Sequence, residues 1–143
     1  MKEYQSLAHT RWDCKYHVVF IPKRRKKAIF VSLRRHLGEI FRELAKHKES
    51  EVVEGHLMAD HVHMCLSVPP KYSVSQVVGY IKGKSAITIA RKFGGRARNF
   101  TGEVFWARGY FVTTVGLDEE MVRAYIRNQE QEDERYDQMK LGV

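Results

Sequence analysis

Hydrophobic and polar residues alternate along residues 12–21, the first patterned stretch of the chain. A period of two places successive side chains on opposite faces of the backbone, which is typical of a β-strand with one face in a core. The apolar members are Trp12, Cys14, Tyr16, Val18 and Phe20. The alternation predicts a first strand, which ends at Pro22 because proline has no amide hydrogen to donate.

The apolar residues then change to a helical period. After a basic turn at residues 23–27, they recur mostly at steps of three and four, which gathers them on one face of a helix. These residues are Phe30, Leu33, Leu37, Ile40, Phe41 and Leu44. Their spacing predicts the first helix.

Two short apolar stretches follow, at residues 52–58 and 61–68. Ala59 and Asp60 separate them, and a connection this short predicts an antiparallel hairpin. The prolines at residues 69–70 end the second stretch.

A second helix is predicted to begin at Ser73. Ser73 and Gln76 have the spacing of a capping box, in which each side chain accepts a hydrogen bond from the other residue's free backbone amide. The helix is expected to run to about Phe93, because Gly94 and Gly95 offer the left-handed stop that glycine adopts cheaply. Its buried side is formed by Val74, Val77, Val78 and Ile81.

The last two predicted elements complete a recognisable order. Residues 104–115 are rich in aromatic and β-branched side chains and predict a fourth strand, and Asp118 is suited to cap a third helix. Strand, helix, strand, strand, helix, strand, helix is the order of a ferredoxin-like fold with an added helix. We expect one α+β domain over residues 1–143, with a mostly antiparallel sheet covered by helices and an extra C-terminal helix that carries Tyr125.

Composition and charge narrow the class of protein. A chain of 143 residues that is 43% hydrophobic fits one domain that buries roughly 70% of its unfolded surface, which excludes a disordered tail and a multi-domain enzyme. The formal net charge of +8 favours a polyanionic partner. Residues 22–50 and 71–98 each carry +7, whereas residues 116–143 carry −4.

Cysteine usage and hydropathy bear on the compartment. Cys14 and Cys65 fit neither a disulfide framework nor a paired zinc motif. No apolar run reaches the roughly 20 residues that a bilayer requires, and the first residues lack the apolar core of a signal peptide. We therefore expect a cytoplasmic protein with no membrane partner.

The strongest candidate for chemistry is a pair of histidines in the second strand of the hairpin. Alternation places four residues on the face opposite the core, namely His61, His63, Cys65 and Ser67. Residues two apart in a strand lie roughly 6.6 to 6.8 Å apart, close enough for both imidazoles to lean onto one metal ion. The simpler interpretation is a pair of ordinary surface histidines.

A metal site needs a third ligand. Cys65 would complete a set of two imidazoles and a thiolate that suits zinc, although a lone cysteine in a strand is more often a packing residue. Asp60 is another candidate. Tyr125 and Gln129 are four residues apart and would be neighbours on the third helix, where a phenol nucleophile would lie beside an amide ligand. From periodicity alone, packing of Tyr125 is the preferred interpretation.

The motif His61-Val62-His63, in its surroundings, resembles the single-tyrosine HUH transposases of small bacterial insertion sequences. The segments that carry the resemblance are residues 16–20, 55–63, 79–85, 105–110 and 125–129. Together and in this order they are specific, and they extend over nearly the whole chain.

The resemblance implies a site and an activity. His61, His63 and Gln129 would hold Mg²⁺ or Mn²⁺, although imidazole ligands alone would favour zinc, and Tyr125 would be the nucleophile. The implied enzyme is a metal-dependent transposase that cleaves and rejoins single-stranded DNA at hairpin-bearing element ends through a 5′-phosphotyrosine intermediate. The implied assembly is a homodimer in which the tyrosine helix of one subunit can complete the active site of the other.

The two basic stretches are expected to contact phosphates, with nearby aromatic side chains stacking on unpaired bases. The residues predicted to do so are Lys23, Arg24, Arg25, Lys82, Lys84, Arg96 and Arg98. Two other functions stay open. One is a non-catalytic ferredoxin-like protein that binds single-stranded nucleic acid, and the other is a zinc hydrolase that uses His61, His63 and Cys65.

Overall fold

The computed structural model describes residues 5–7, 10–23, 31–93 and 105–116, together with residues 120, 124 and 127. Within these ranges the chain forms six strands and two long helices. In chain order they are β1 (Gln5–Leu7), β2 (Thr10–Trp12), β3 (Lys15–Phe20), α1 (Val31–His47), β4 (Glu51–Leu57), β5 (Val62–Ser67), α2 (Val74–Phe93) and β6 (Phe111–Thr114).

Four of the strands form one antiparallel sheet in the order β4-β5-β3-β6. The two central strands are β3 and β5, and β1 and β2 form a separate two-stranded ribbon. The hairpin predicted around Ala59 and Asp60 is confirmed, since β4 and β5 are paired antiparallel neighbours. The strand-helix-strand-strand-helix-strand order with this pairing confirms the α+β, ferredoxin-like expectation.

Both long helices pack on the same face of the sheet, where the main core lies. The apolar stripe predicted for α1 supplies Leu37 and Phe41, and the stripe of α2 supplies Ile81. They meet side chains from the central strands such as Val18 and Met64. Each large apolar side chain that is fully buried contributes about 1.5 to 3 kcal/mol to stability. Neither described helix is long and apolar enough to cross a bilayer.

The predicted start of α2 is confirmed in atomic detail. The amide of Ser73 donates to Oε1 of Gln76 at 2.9 Å, and the amide of Gln76 donates to Oγ of Ser73 at 3.1 Å. Two of the amide groups that a helix leaves free at its first turn are therefore satisfied by side chains. Gly94 and Gly95, predicted to stop this helix, lie outside the described residues.

Two strands are shorter in the structure than the sequence pattern predicts. The stretch over residues 12–21 is divided between β2 and β3, with Asp13 and Cys14 between them. The fourth strand is β6 alone, and residues 105–110 before it form a turn, one bridge from Trp106 to Pro22 and irregular backbone. Gly109 has φ of 77°, a conformation that breaks strand geometry and that glycine tolerates best.

Side chains of α2 hold residues 105–110 in place. The ammonium of Lys82 donates to the carbonyl oxygens of Ala107 and Gly109 at 2.8 and 2.6 Å. One turn away, Nε1 of the buried Trp106 donates to Oγ of Ser85 at 2.9 Å. The spacing of apolar residues does not indicate hydrogen bonds between distant residues such as Lys82 and Gly109. For this reason the sequence predicts a strand over these residues.

Lys82 and Lys84 offer a matched test of this anchor. Lys84 is exposed on the same helix, whereas replacing Lys82 removes two hydrogen bonds from a charged donor. We expect Lys82→Met to lower the free energy of unfolding by about 1 to 3 kcal/mol and Lys84→Met to leave it within about 0.5 kcal/mol. Urea denaturation followed by tryptophan fluorescence measures both. Equal losses in the two variants would contradict the anchoring role.

Candidate active site

Strand β5 is buried on both of its faces. Its register with β3 and β4 confirms the predicted alternation, with Met64 on the core side and His63 and Cys65 on the opposite side. The opposite side is also closed to solvent, because His63 is 1% and Cys65 0% exposed. The expected surface histidines are thus interior residues, which excludes the simpler interpretation of a solvated pair.

The imidazoles of His61 and His63 lie side by side, as predicted. Their ring centroids are 4.6 Å apart and their planes meet at 80°, and His61 is only 3% exposed. In-plane lone pairs of two rings that cross at a steep angle can converge on one point. The chemistry and arrangement of this pair therefore fit two of the ligands of a divalent cation.

Asp60 fixes the orientation of the His61 ring. Its Oδ1 lies 2.7 Å from Nδ1 of His61, and both side chains are buried. An ionised carboxylate can only accept, so Nδ1 of His61 carries the hydrogen. Nε2 is then the nitrogen with a lone pair, in the arrangement that orients metal-binding histidines in many proteins. Asp60 is a candidate ligand in the sequence, and in the structure its carboxylate contacts and orients the ring of His61.

His17 is a site residue that the sequence analysis missed. It lies on β3, is 6% exposed, and its ring stacks on that of His63 with centroids 5.9 Å apart and planes at 16°. Burial lowers the pKa of the His17 imidazole, which favours the neutral form. The alternation of residues 12–21 places His17 on the non-core face, and this was the available signal.

A zinc site of His61, His63 and Cys65 is not assembled in the structure. Among the residues that the structure describes, no three His, Cys, Asp or Glu side chains come together in a way that could hold a metal ion. A metal ion bound by this histidine pair would therefore need further ligands from elsewhere in the chain or from other groups. Tyr125 and Gln129, predicted as nucleophile and third ligand, lie outside the described residues.

Arg127 links the C-terminal part of the chain to the sheet. Residues 120, 124 and 127 are helical, which agrees with the predicted third helix at these positions. Nη1 of Arg127 lies 2.6 Å from Oε1 of Glu54 on β4. Glu54 pairs in register with Cys65, and the next residue on that face, His56, pairs with His63. This ion pair ties Arg127 to the strand beside the histidine pair.

The basic residues predicted to contact DNA differ in their surroundings. Lys23 and Lys84 are exposed, and Lys82 is bound to backbone carbonyl oxygens. The other four, Arg24, Arg25, Arg96 and Arg98, lie outside the described residues. The seven remain predictions as DNA contacts.

A cluster of lysines and tyrosines on the helical side was also missed by sequence reasoning. The ammonium of Lys48 lies 4.7 Å from the ring centroid of Tyr80 and 5.6 Å from that of Tyr72. The hydroxyl of Tyr80 is 2.8 Å from Nδ1 of His47. These residues lie at the end of α1, just beyond it, just before α2 or within α2, and the packing of the two helices brings them together. Because they are far apart in the sequence, no local pattern indicates the cluster.

Comparison with known proteins identifies the family. Residues 10–129 match the family described as "Transposase IS200 like". The transposase for insertion sequence element IS200 of Salmonella typhimurium is 43% identical over 141 residues, which cover 99% of this chain and 93% of that protein. The ISDra2 transposase TnpA of Deinococcus radiodurans is 26% identical over 119 residues, covering 82% and 85% of the two chains.

Solved structures share the fold. A crystal structure of a proposed transposase from Deinococcus radiodurans R1 superimposes with a TM-score of 0.68 at 26% identity, covering 90% of this chain and 98% of that one. The REP-associated tyrosine transposase bound to a REP hairpin gives 0.55 at 13% identity, with 88% and 68% covered, and supports the fold alone. The chain therefore belongs to the IS200-like transposases.

Proposed function

We propose that this transposase cleaves and rejoins single-stranded DNA at hairpin-bearing element ends, with Tyr125 as the nucleophile. The observation that carries the proposal is the buried pair His61 and His63, in which Asp60 orients the ring of His61. A buried, oriented imidazole pair on a sheet face is suited to binding a cation and the phosphate that it neutralises. Membership of a transposase family supplies the substrate class, because family members act on DNA elements.

The proposed metal ligands are His61, His63 and Gln129, with Mg²⁺ or Mn²⁺ as the ion. When bound, such an ion withdraws negative charge from the scissile phosphate and orients it. Asp60 keeps the His61 lone pair on Nε2 through the 2.7 Å contact with Nδ1. Burial of both rings excludes water that would compete for the same positions.

Tyr125 performs the covalent step in this proposal. An unperturbed phenol has a pKa near 10 and must lose its proton as it attacks. The phenolic oxygen forms a bond to phosphorus, and the bond from phosphorus to the 3′ oxygen breaks. The products are a 5′-phosphotyrosine and a free 3′-hydroxyl. Because the adduct retains the energy of the phosphodiester, a 3′-hydroxyl from another DNA end reverses the step without ATP.

The proposed substrate is a hairpin followed by unpaired DNA. The similarly folded REP-associated transposase is bound to a REP hairpin, which supports this choice. On this chain the exposed Lys23 and Lys84 are available for phosphates, and the arginines at 24, 25, 96 and 98 are proposed to extend the same basic surface.

We further propose that the active form is a homodimer in which the tyrosine segment serves either subunit. The segment over residues 116–143 carries −4 against a basic body, so it is attracted to a second copy as well as to its own chain. Transfer to a partner would require the Arg127 ion pair with Glu54 to open. Arg127 is 48% and Glu54 21% exposed at the side chain, and a partly exposed ion pair of this kind opens at low energetic cost.

The role of Tyr125 as nucleophile is tested by removing its hydroxyl group. We expect Tyr125→Phe to abolish the covalent adduct that the wild type forms with a single-stranded hairpin oligonucleotide from its element end and Mn²⁺, because phenylalanine has no attacking oxygen. Denaturing gel electrophoresis detects the adduct, and gel shift measures binding, which the variant retains.

Two further variants make this test specific. Tyr16→Phe, in β3, is the control and keeps the adduct. Loss of the adduct in Tyr80→Phe, with retention in Tyr125→Phe, would transfer the nucleophile role to Tyr80. Hairpin binding by the wild type without any adduct, across Mg²⁺, Mn²⁺ and Zn²⁺, would favour the non-catalytic binding protein instead.

Asp60 gives a prediction about metal dependence. Asp60→Asn replaces a carboxylate with an amide that orients the His61 ring less firmly, so the Mn²⁺ concentration for half-maximal cleavage rises about 10- to 100-fold. The cleavage rate at saturating Mn²⁺ changes less. Glu51→Gln, an exposed carboxylate change on β4, is the control. An unchanged Mn²⁺ midpoint in Asp60→Asn would exclude Asp60 from the site.

A further inference from the structure

A continuous series of rings crosses the sheet on the face opposite the helices. Phe111 of β6 meets the edge of His17 with centroids 6.4 Å apart and planes at 76°. His17 of β3 stacks on His63 of β5 at 5.9 Å and 16°. His63 then meets His61 at 4.6 Å and 80°. The separations fall within the range in which aromatic rings attract one another.

Strand register fixes this arrangement. His17 is directly opposite Cys65, and Val19 is directly opposite His63, so His17 is the diagonal neighbour of His63 on the adjacent strand. Diagonal neighbours on one face of a sheet are within reach when their side chains carry rings. Because β3 is paired on both sides, by β5 and by β6, the ring of His17 projects from one of the two central strands.

The ring contacts of His63 with His61 and with His17 differ in whether both rings can bind the same cation. Imidazole lone pairs lie in the plane of the ring. The planes of His61 and His63 cross at 80°, so their lone pairs can meet at one cation. The rings of His17 and His63 are stacked with their planes nearly parallel at 16°, so their lone pairs lie in two separate, parallel planes. His17 therefore contacts a proposed ligand without sharing its geometry.

We propose that His17 is a positioning residue that holds the His63 ring by stacking, in the orientation that His63 needs to bind the metal ion together with His61. This inference rests on the proposed metal site. The positioning role depends on the flat ring of His17 and not on its nitrogens. Stacking restricts rotation of the His63 ring about its side-chain bonds. A ring held in one orientation loses less entropy on binding a cation than a free ring does.

The test compares Mn²⁺ binding by the full chain without DNA, measured from the loss of the free-ion signal in electron paramagnetic resonance. We expect His17→Ala to raise the Mn²⁺ dissociation constant about 10- to 100-fold, the range typical for residues that orient metal ligands. His17→Phe keeps a flat ring and restores binding close to the wild-type value. Rescue by phenylalanine, which has no nitrogen, separates stacking from ligation.

Val18→Ala provides the matched control. Val18 is the next residue on the same strand, but it is fully buried on the core face, so its loss destabilises β3 without touching the histidines. Its Mn²⁺ affinity stays at the wild-type value, and thermal melts of all variants report their stability.

Each contrary outcome has a distinct meaning. Wild-type affinity in His17→Ala would overturn the positioning role while leaving the metal site intact. Equal loss in His17→Ala and His17→Phe would show that a nitrogen of His17 acts, which also overturns it. A loss in Val18→Ala that equals the loss in His17→Ala would assign the effect to strand stability. No Mn²⁺ binding by the wild type would instead refute the proposed metal site.

Discussion

Burial of β5 on both faces is the constraint on which the rest of the structure depends. Its core face is covered by the helices, and its other face holds His63 and Cys65 with almost no exposure. A strand in this position must satisfy every polar side chain inside the protein, because an unpaired buried polar group costs about 1 to 3 kcal/mol. Immediately before β5, the contact between Asp60 and His61 gives Nδ1 of the buried His61 ring a partner and fixes the orientation of that ring.

Order of this kind suits a site for a charged ligand. Imidazoles in a solvated strand would sample several rotamers and would be hydrated, so binding a cation would first require both to be fixed. Here His61 is held by a carboxylate and His63 lies between the rings of His61 and His17. The sheet supplies this rigidity through backbone pairing on both sides of β3 and β5. The fold thus contributes positions, whereas the chemical groups come from only a few residues.

The sequence predicts those parts of the structure that arise from local periodicity. Both helices, the hairpin and the box formed by Ser73 and Gln76 follow from spacing alone, and so does the shared face of His61 and His63. Contacts between distant segments were not predictable in this way. The stacking of His17 on His63 requires the register of two strands, and the expected fourth strand was too long because side chains of α2 hold the backbone before β6. The burial of the histidine face depends on tertiary packing, which periodicity does not contain.

Tertiary contacts also change the meaning of the net charge. Lys82 and Lys84 count equally toward the net charge of +8. Residues two positions apart on a helix point about 200° away from each other, so the two side chains have different surroundings. The ammonium of Lys82 is taken up by backbone carbonyl oxygens, and that of Lys84 is exposed. Lys84 belongs to the helical layer, whereas the histidines lie on the other face of the sheet. A DNA strand that contacted both Lys84 and the histidines would therefore have to pass around an edge of the sheet.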